Sequence, residues 1–197
     1  MNRFSDLLLV ALYAIFIQNL VFSGGYGASE AVRMAAKPRR FILFALSIAY
    51  FSVITSAVCR LLDFIPGVFV LNDAMHAVIF ILTLVFVYLA TAVFMRIFLK
   101  ADPKFLNLTG ISALNTLVLA IPFINHRAAY SLTESIGTGL GAGLAFILAV
   151  ALMSNGMQRL SINKDIPKSF KGSPAIFIYI ALLSLAFTGF SGGSLFA

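Results

Sequence analysis

A chain with a single cysteine, Cys59, can form no intrachain disulfide and no all-cysteine metal site of its own. Charge is also scarce: 11% of the residues are Asp, Glu, Lys or Arg, where a soluble domain carries about 25%. Tryptophan is absent, so 20 phenylalanines supply most of the aromatic bulk, which reads as lipid-facing rather than as an aromatic binding box. No phosphate-binding glycine loop, nucleophile–base arrangement or metal signature occurs, so the sequence predicts no catalytic residue and no metal ligand set.

What fills the chain is apolar. Of its 197 residues 61% are hydrophobic, with a mean hydropathy of +1.02. A membrane span takes about 20 such residues. The pattern therefore predicts an all-α integral membrane protein of six spans, over residues 6–22, 41–62, 74–98, 105–124, 131–155 and 174–190. The loops are too short for a soluble domain, so residues 1–197 form a single membrane domain. One arginine and then apolar chain, with no small-residue cleavage site, make the first span an uncleaved one.

The first span is interrupted in an unusual way. Gln18 and Asn19 place two amides in apolar chain, and Gly24, Gly25 and Gly27 follow within a few residues. Non-helical backbone at membrane depth must be buried in protein or line a cavity, because lipid offers it no hydrogen bonds. Asn115, in Leu114-Asn115-Thr116-Leu117-Val118, repeats the pattern of Gln18-Asn19-Leu20-Val21 96 residues later. Cys59-Arg60-Leu61 near the end of span two is matched by Gln158-Arg159-Leu160 after span five. Six spans then divide into two repeats, about 1–98 and about 105–197, each opening with a broken helix. Three spans per repeat force the second copy upside down, a plan that puts a site near the midplane. Gln18, Asn19, Gly24, Gly25, Gly27 and Asn115 are the expected midplane core; the two asparagines either line a site or hold the freed backbone.

Other polar residues read more plainly. Gly137, Gly139, Gly141 and Gly143 are expected to pack helices closely, and Glu134 to lie at the membrane interface. Asp63 and Asp73 read as solvated residues of an outer loop. His76 and His126 read as polar end-groups without a partner at metal-ligand spacing, and Cys59 as a small buried hydrophobe.

The net charge of +7 follows the loops rather than a nucleic-acid surface. The first, third and fifth loops hold eleven of the fourteen Lys and Arg, against Arg3, Arg60 and Arg127 on the other side. Cytoplasmic loops collect such residues, so both termini are expected outside a cytoplasmic membrane.

Three stretches carry a resemblance: Ile17-Gln18-Asn19-Leu20 with Ser23 and Gly27; Asp165-Ile166-Pro167-Lys168-Ser169-Phe170-Lys171-Gly172; and Ser184-Leu185-Ala186-Phe187-Thr188-Gly189-Phe190-Ser191-Gly192. With them the chain is similar, nearly end to end, to the six-span subunits of the Rnf and Na+-translocating NADH:quinone oxidoreductase (Nqr) complexes. The nearest type is the one called RnfA in the first complex and NqrE in the second. The resemblance implies a membrane subunit of an ion-translocating electron transport complex, paired with an inverted homologous subunit and with other subunits. It further implies an iron–sulfur cluster held between the pair by one cysteine from each half-repeat. Those two positions are Ser29 and Thr116 here, and hydroxyls are poor ligands for such a cluster. A scaffolding and ion-coupling role is therefore expected rather than cluster ligation, with Asp165, Pro167, Phe170 and Gly172 retained as a family loop motif. Loss of both cysteines argues for the alternative, a small inverted-repeat transporter without electron transfer; the retained motifs argue for assembly in a complex.

The expected orientation has a direct test. A Lys168→Cys variant should resist a membrane-impermeant maleimide in intact cells and react after permeabilisation; labelling from outside would reverse the topology.

Overall fold

The computed structural model describes residues 3–37, 41–69 and 71–190, and among them every regular element is a helix. Helices satisfy each backbone N–H and C=O within one segment, as a water-free surrounding requires. Helix α1 (Arg3–Leu12) runs into a π turn (Tyr13–Ile17), stops at Gln18 and Asn19, and resumes as α2 (Leu20–Ser23). After the turn at residues 24–27 come α3 (Ala28–Ala36), α4 (Phe41–Leu62), α5 (Pro66–Phe69) and α6 (Asp73–Ile97). The fourth crossing is divided into α7 (Pro103–Ala113) and α8 (Thr116–Arg127); α9 (Leu132–Ile162) and α10 (Ser173–Phe190) complete the chain. Five segments are long and apolar enough to cross a membrane, and Phe4–Ile17 is a shorter apolar helix, in keeping with six spans.

Three boundaries depart from the sequence expectation. The first span breaks at Gln18–Asn19, ahead of the glycines, because the asparagine caps a new helix there. The stretch read as a loop from residue 29 is largely helix α3, which buries Ala31, Met34 and Ala35 and turns Arg33 outward into an ion pair with Glu30. Helix α9 runs through Asn155-Gly156 to Ile162, and leaves the helical conformation only at Asn163 (φ −65°, ψ 123°). Its 31 residues span about 46 Å at 1.5 Å per residue, longer than a hydrocarbon layer of about 30 Å. The Arg159 end therefore reaches beyond the hydrocarbon. Arg39, Arg40, Ser191 and Gly192, which belong to the charge pattern and the last motif, lie outside the described residues.

Helix α9 is the axis of the bundle. In its most apolar window 61% of residues are buried, against 11% in α10. The alternating glycines explain how it is enclosed. Positions two apart on a helix point to nearly opposite sides, while positions four apart share a face. Gly137 and Gly141 accordingly meet α1, where an added Cβ would lie 2.7 Å from the Leu7 carbonyl oxygen and 2.9 Å from that of Ala11. Gly139 and Gly143 meet α4, where it would lie 2.8 Å from the Val53 backbone and 2.5 Å from the Ala49 Cβ. Two interleaved small-residue seams thus clamp one helix between two others. Around the clamp, Phe44, Ile48, Leu84, Leu117, Ile121, Phe146 and Met153 are fully buried, with the Phe44 and Phe146 rings 5.5 Å apart. Large apolar side chains such as Leu82, Phe86, Phe94 and Phe177 point outward, as lipid contact demands.

Overpacking a tight interior typically costs about 1–3 kcal/mol. Gly139→Ala should therefore lower the thermal midpoint of the purified protein by several degrees, because backbone rather than a movable side chain blocks the new methyl. Gly189→Ala, in α10 with nothing within 4 Å of its added Cβ, should leave it unchanged.

Candidate functional site

Both helix breaks are built in the same way. Asn19 has extended backbone (φ −66°, ψ 100°) and its Oδ1 accepts the Val21 N–H at 3.1 Å, capping α2. Asn115 has φ −71° and ψ 138°, and its Oδ1 accepts the Leu117 N–H at 2.8 Å, capping α8. Each cap satisfies a donor that a helix start leaves orphaned. Asn19 does more: its Nδ2 donates to the carbonyls of Ile15 at 3.1 Å and Ala145 at 3.4 Å, tying the break to α9. Gln18, half-buried, closes the π turn with its backbone N–H on the Tyr13 carbonyl at 2.8 Å.

The glycine turn that follows the first break touches the second break. Gly27 takes a left-handed conformation (φ 71°) at the start of α3, a shape that favours glycine, and its N–H donates to Thr116 Oγ1 at 2.9 Å. A Cβ on Gly27 would lie 2.7 Å from Asn115 Oδ1, so glycine is needed there for space as well. Of the expected midplane core, Asn19, Gly27 and Asn115 are buried, Gln18 is half-buried, and Gly24 and Gly25 are exposed. The N-termini of α3 and α8, each with a partial positive charge, are thereby brought together.

Ser29, in the first turn of α3, and Thr116, the first residue of α8, are both exposed beside this junction. A groove of about 350 Å³ lined by Tyr26, Thr116, Ala120, Phe123 and Arg127 opens next to them. Iron–sulfur clusters are held by thiolates. Here both family positions carry hydroxyls, one already engaged by Gly27, and Cys59 is buried in the last turn of α4 beside Thr83. These residues do not fit a thiolate-held cluster. Asp165, Pro167, Phe170 and Gly172 belong instead to the exposed connection between α9 and α10. There the Asp165 N–H bonds Asn163 Oδ1 at 2.9 Å, and Phe170 and Lys171 turn back onto the Pro167 carbonyl.

Away from the breaks, the structure corrects the readings of Asp63, His76 and His126 and gives Glu134 a defined task. Glu134 completes a capping box at the start of α9: the Ser131 N–H donates to Glu134 Oε2 at 2.8 Å and the Glu134 N–H to Ser131 Oγ at 3.3 Å. The signal for it is the spacing in Ser131-Leu132-Thr133-Glu134. Asp73 is exposed as expected and bonds Arg127 at 2.8 Å. Asp63 is not solvated: it is 5% exposed, with His126 Nδ1 at 3.1 Å, Arg60 at 3.6 Å and His76 Nε2 at 3.7 Å. The two histidines, read as isolated, stack with ring centroids 3.9 Å apart. No spacing signals this cluster, because it forms only when the ends of α4, α6 and α8 converge.

Comparison with known proteins matches residues 7–193 to the family described as "Rnf-Nqr subunit, membrane protein". The chain is 29% identical to the A-type subunit of the ion-translocating oxidoreductase complex of Azotobacter vinelandii, over 95% of its length and 97% of that protein's. It is 24% identical to the A-type subunit of the Na(+)-translocating ferredoxin:NAD(+) oxidoreductase complex of Acetobacterium woodii, over 94% and 97%. A shorter alignment, 57% of this chain and 62% of the relative, gives 35% identity to the A-type subunit of the proton-translocating ferredoxin:NAD(+) oxidoreductase complex of Clostridium ljungdahlii.

The unequal bonding of the two asparagines makes a prediction. Loss of a cap costs about 1 kcal/mol, and each further buried hydrogen bond about 1 kcal/mol. Asn19→Ala should therefore lower the thermal midpoint clearly more than Asn115→Ala, whose cap is a single bond.

Proposed function

The chain belongs to the Rnf-Nqr family of membrane subunits, and from that membership we propose that it works as a membrane subunit of an Rnf-like ion-translocating electron transport complex. In this reading it lies in the cytoplasmic membrane with both termini outside, as an inverted duplication of three spans, and pairs with an inverted homologous subunit. The observation that carries the pairing is the junction of α3 and α8. Its Ser29 and Thr116 are exposed on the flank of the bundle instead of being enclosed by it. A flank that holds two helix N-termini and an open groove suits a neighbouring protein better than lipid tails, which cannot bond its polar groups.

Within such a pair this chain contributes scaffold and ion coupling rather than cluster ligands. Its hydroxyl at Thr116 accepts from Gly27, and no thiol stands at either family position. Any iron–sulfur cluster at this junction draws its thiolates from the partner alone.

Gentle purification from native membranes tests this. The chain should co-purify with a homologous membrane subunit and with flavin- and iron–sulfur-bearing subunits, and a Gly27→Leu variant, which crowds the junction, should weaken that recovery. A homodimer free of other subunits and of iron would overturn the proposal in favour of a transporter.

A further inference from the structure

The Asp63–His76–His126 cluster has a property that a plain ion-pair network does not. His76 is 1% exposed, and its Nδ1 lies 3.2 Å from the Asn72 carbonyl oxygen, which can only accept. That bond places the proton on Nδ1 and leaves Nε2 with its lone pair. Yet Nε2 faces Asp63 Oδ1 at 3.7 Å, and among the described residues neither atom makes a hydrogen bond. Two buried acceptors thus look at each other across a gap too long for a hydrogen bond. A buried acceptor left unpaired is costly, so a cation between the two atoms resolves both at once.

We propose that Asp63, His76 and His126 bind a divalent transition-metal ion, Zn2+ by preference, which pins the converging ends of α4, α6 and α8. The donor set is two imidazoles and one carboxylate, which suits zinc with a fourth position left for water. All three residues offer a ligand atom within 4.8 Å of the others. Ligands about 2.0–2.1 Å from a tetrahedral Zn2+ stand roughly 3.3 Å apart; His76 Nε2 lies 3.7 Å from Asp63 Oδ1 and His126 Nδ1 3.1 Å from Asp63 Oδ2, so the two oxygens of one carboxylate each face a ring at close to that spacing. The surroundings are those of a metal site: the Asn72 carbonyl orients His76 from behind, as an outer partner does for a metal-bound histidine. Arg60 and His126 both approach Asp63 Oδ2, at 3.6 and 3.1 Å, and leave Oδ1 open toward His76. His126, with 19% of its side chain exposed, provides the route of entry.

The test uses the full-length chain in detergent, with any affinity tag removed. Zn2+ uptake is measured by elemental analysis after desalting, and Co2+ serves as an optical probe of coordination. One Zn2+ per chain is expected, with tetrahedral Co2+ absorption bands that Zn2+ displaces. His126→Ala and His76→Gln should each lower the affinity by about 10–100-fold or more and abolish the bands. Because a variant at buried His76 can fail to fold, the unaltered protein supplies a second measurement: its thermal midpoint should rise with Zn2+ and fall back on chelation. His126→Ala should lose that response. Uptake no greater in the unaltered chain than in His126→Ala, or a midpoint indifferent to Zn2+, would overturn the proposal and leave the cluster as a polar network between helix ends.

Discussion

The rest of the fold depends on one constraint: backbone that leaves the helix inside a membrane must find its hydrogen bonds within the protein. Two asparagines meet it. Each gives its side-chain oxygen to the N–H two residues ahead, so a chain that has stopped can start again without exposing orphan donors. The break at Asn19 opens α2, the glycine turn after it opens α3, and the break at Asn115 opens α8, so the N-termini of α3 and α8 can be placed against each other. Gly27 makes the approach possible, because a methyl group there would collide with the Asn115 amide. The junction is thus a consequence of how the breaks are capped.

A broken helix is weaker support than a continuous one, and α9 makes good the difference. Its glycines form two opposed seams, one on α1 and one on α4, and its Ala145 carbonyl receives the Asn19 amide directly. Close backbone approach matters more here than side-chain volume, since lipid supplies no hydrophobic drive to press helices together. At the other extreme, α10 is held by few buried contacts: the Phe187 ring stacks on Phe22 at 4.6 Å, and the Tyr179 hydroxyl donates to the Leu152 carbonyl at 2.9 Å. The bundle is therefore rigid around α9 and open along α10.

What could be read in the sequence was local. The bounds of α4 follow from apolar composition alone, and the glycine seams from their period. The two breaks follow from an amide inside apolar chain, although the first begins at Gln18 rather than at the glycines. Helix α3 escaped because its Arg33 and the cationic residues after it dominate a segment whose alanines carry the packing. Asp63 was misread for a different reason. A carboxylate after a span ordinarily faces water, and only the tertiary arrangement, which brings residues 13 and 63 positions away to its side, buries it. Sequence distance gives no access to such a meeting.

Thr116 has a structural role that suits a hydroxyl. Sulfur is a weak hydrogen-bond acceptor, whereas a hydroxyl oxygen offers two lone pairs. The Thr116 hydroxyl receives the Gly27 N–H at 2.9 Å, joining the start of α3 to the start of α8 through the protein itself. Ser29 lies on the exposed side of α3, so whatever lies against this flank meets a hydroxyl surface with two positive helix ends behind it. A partner that places an anionic or electron-rich group there finds a favourable potential without any thiolate from this chain.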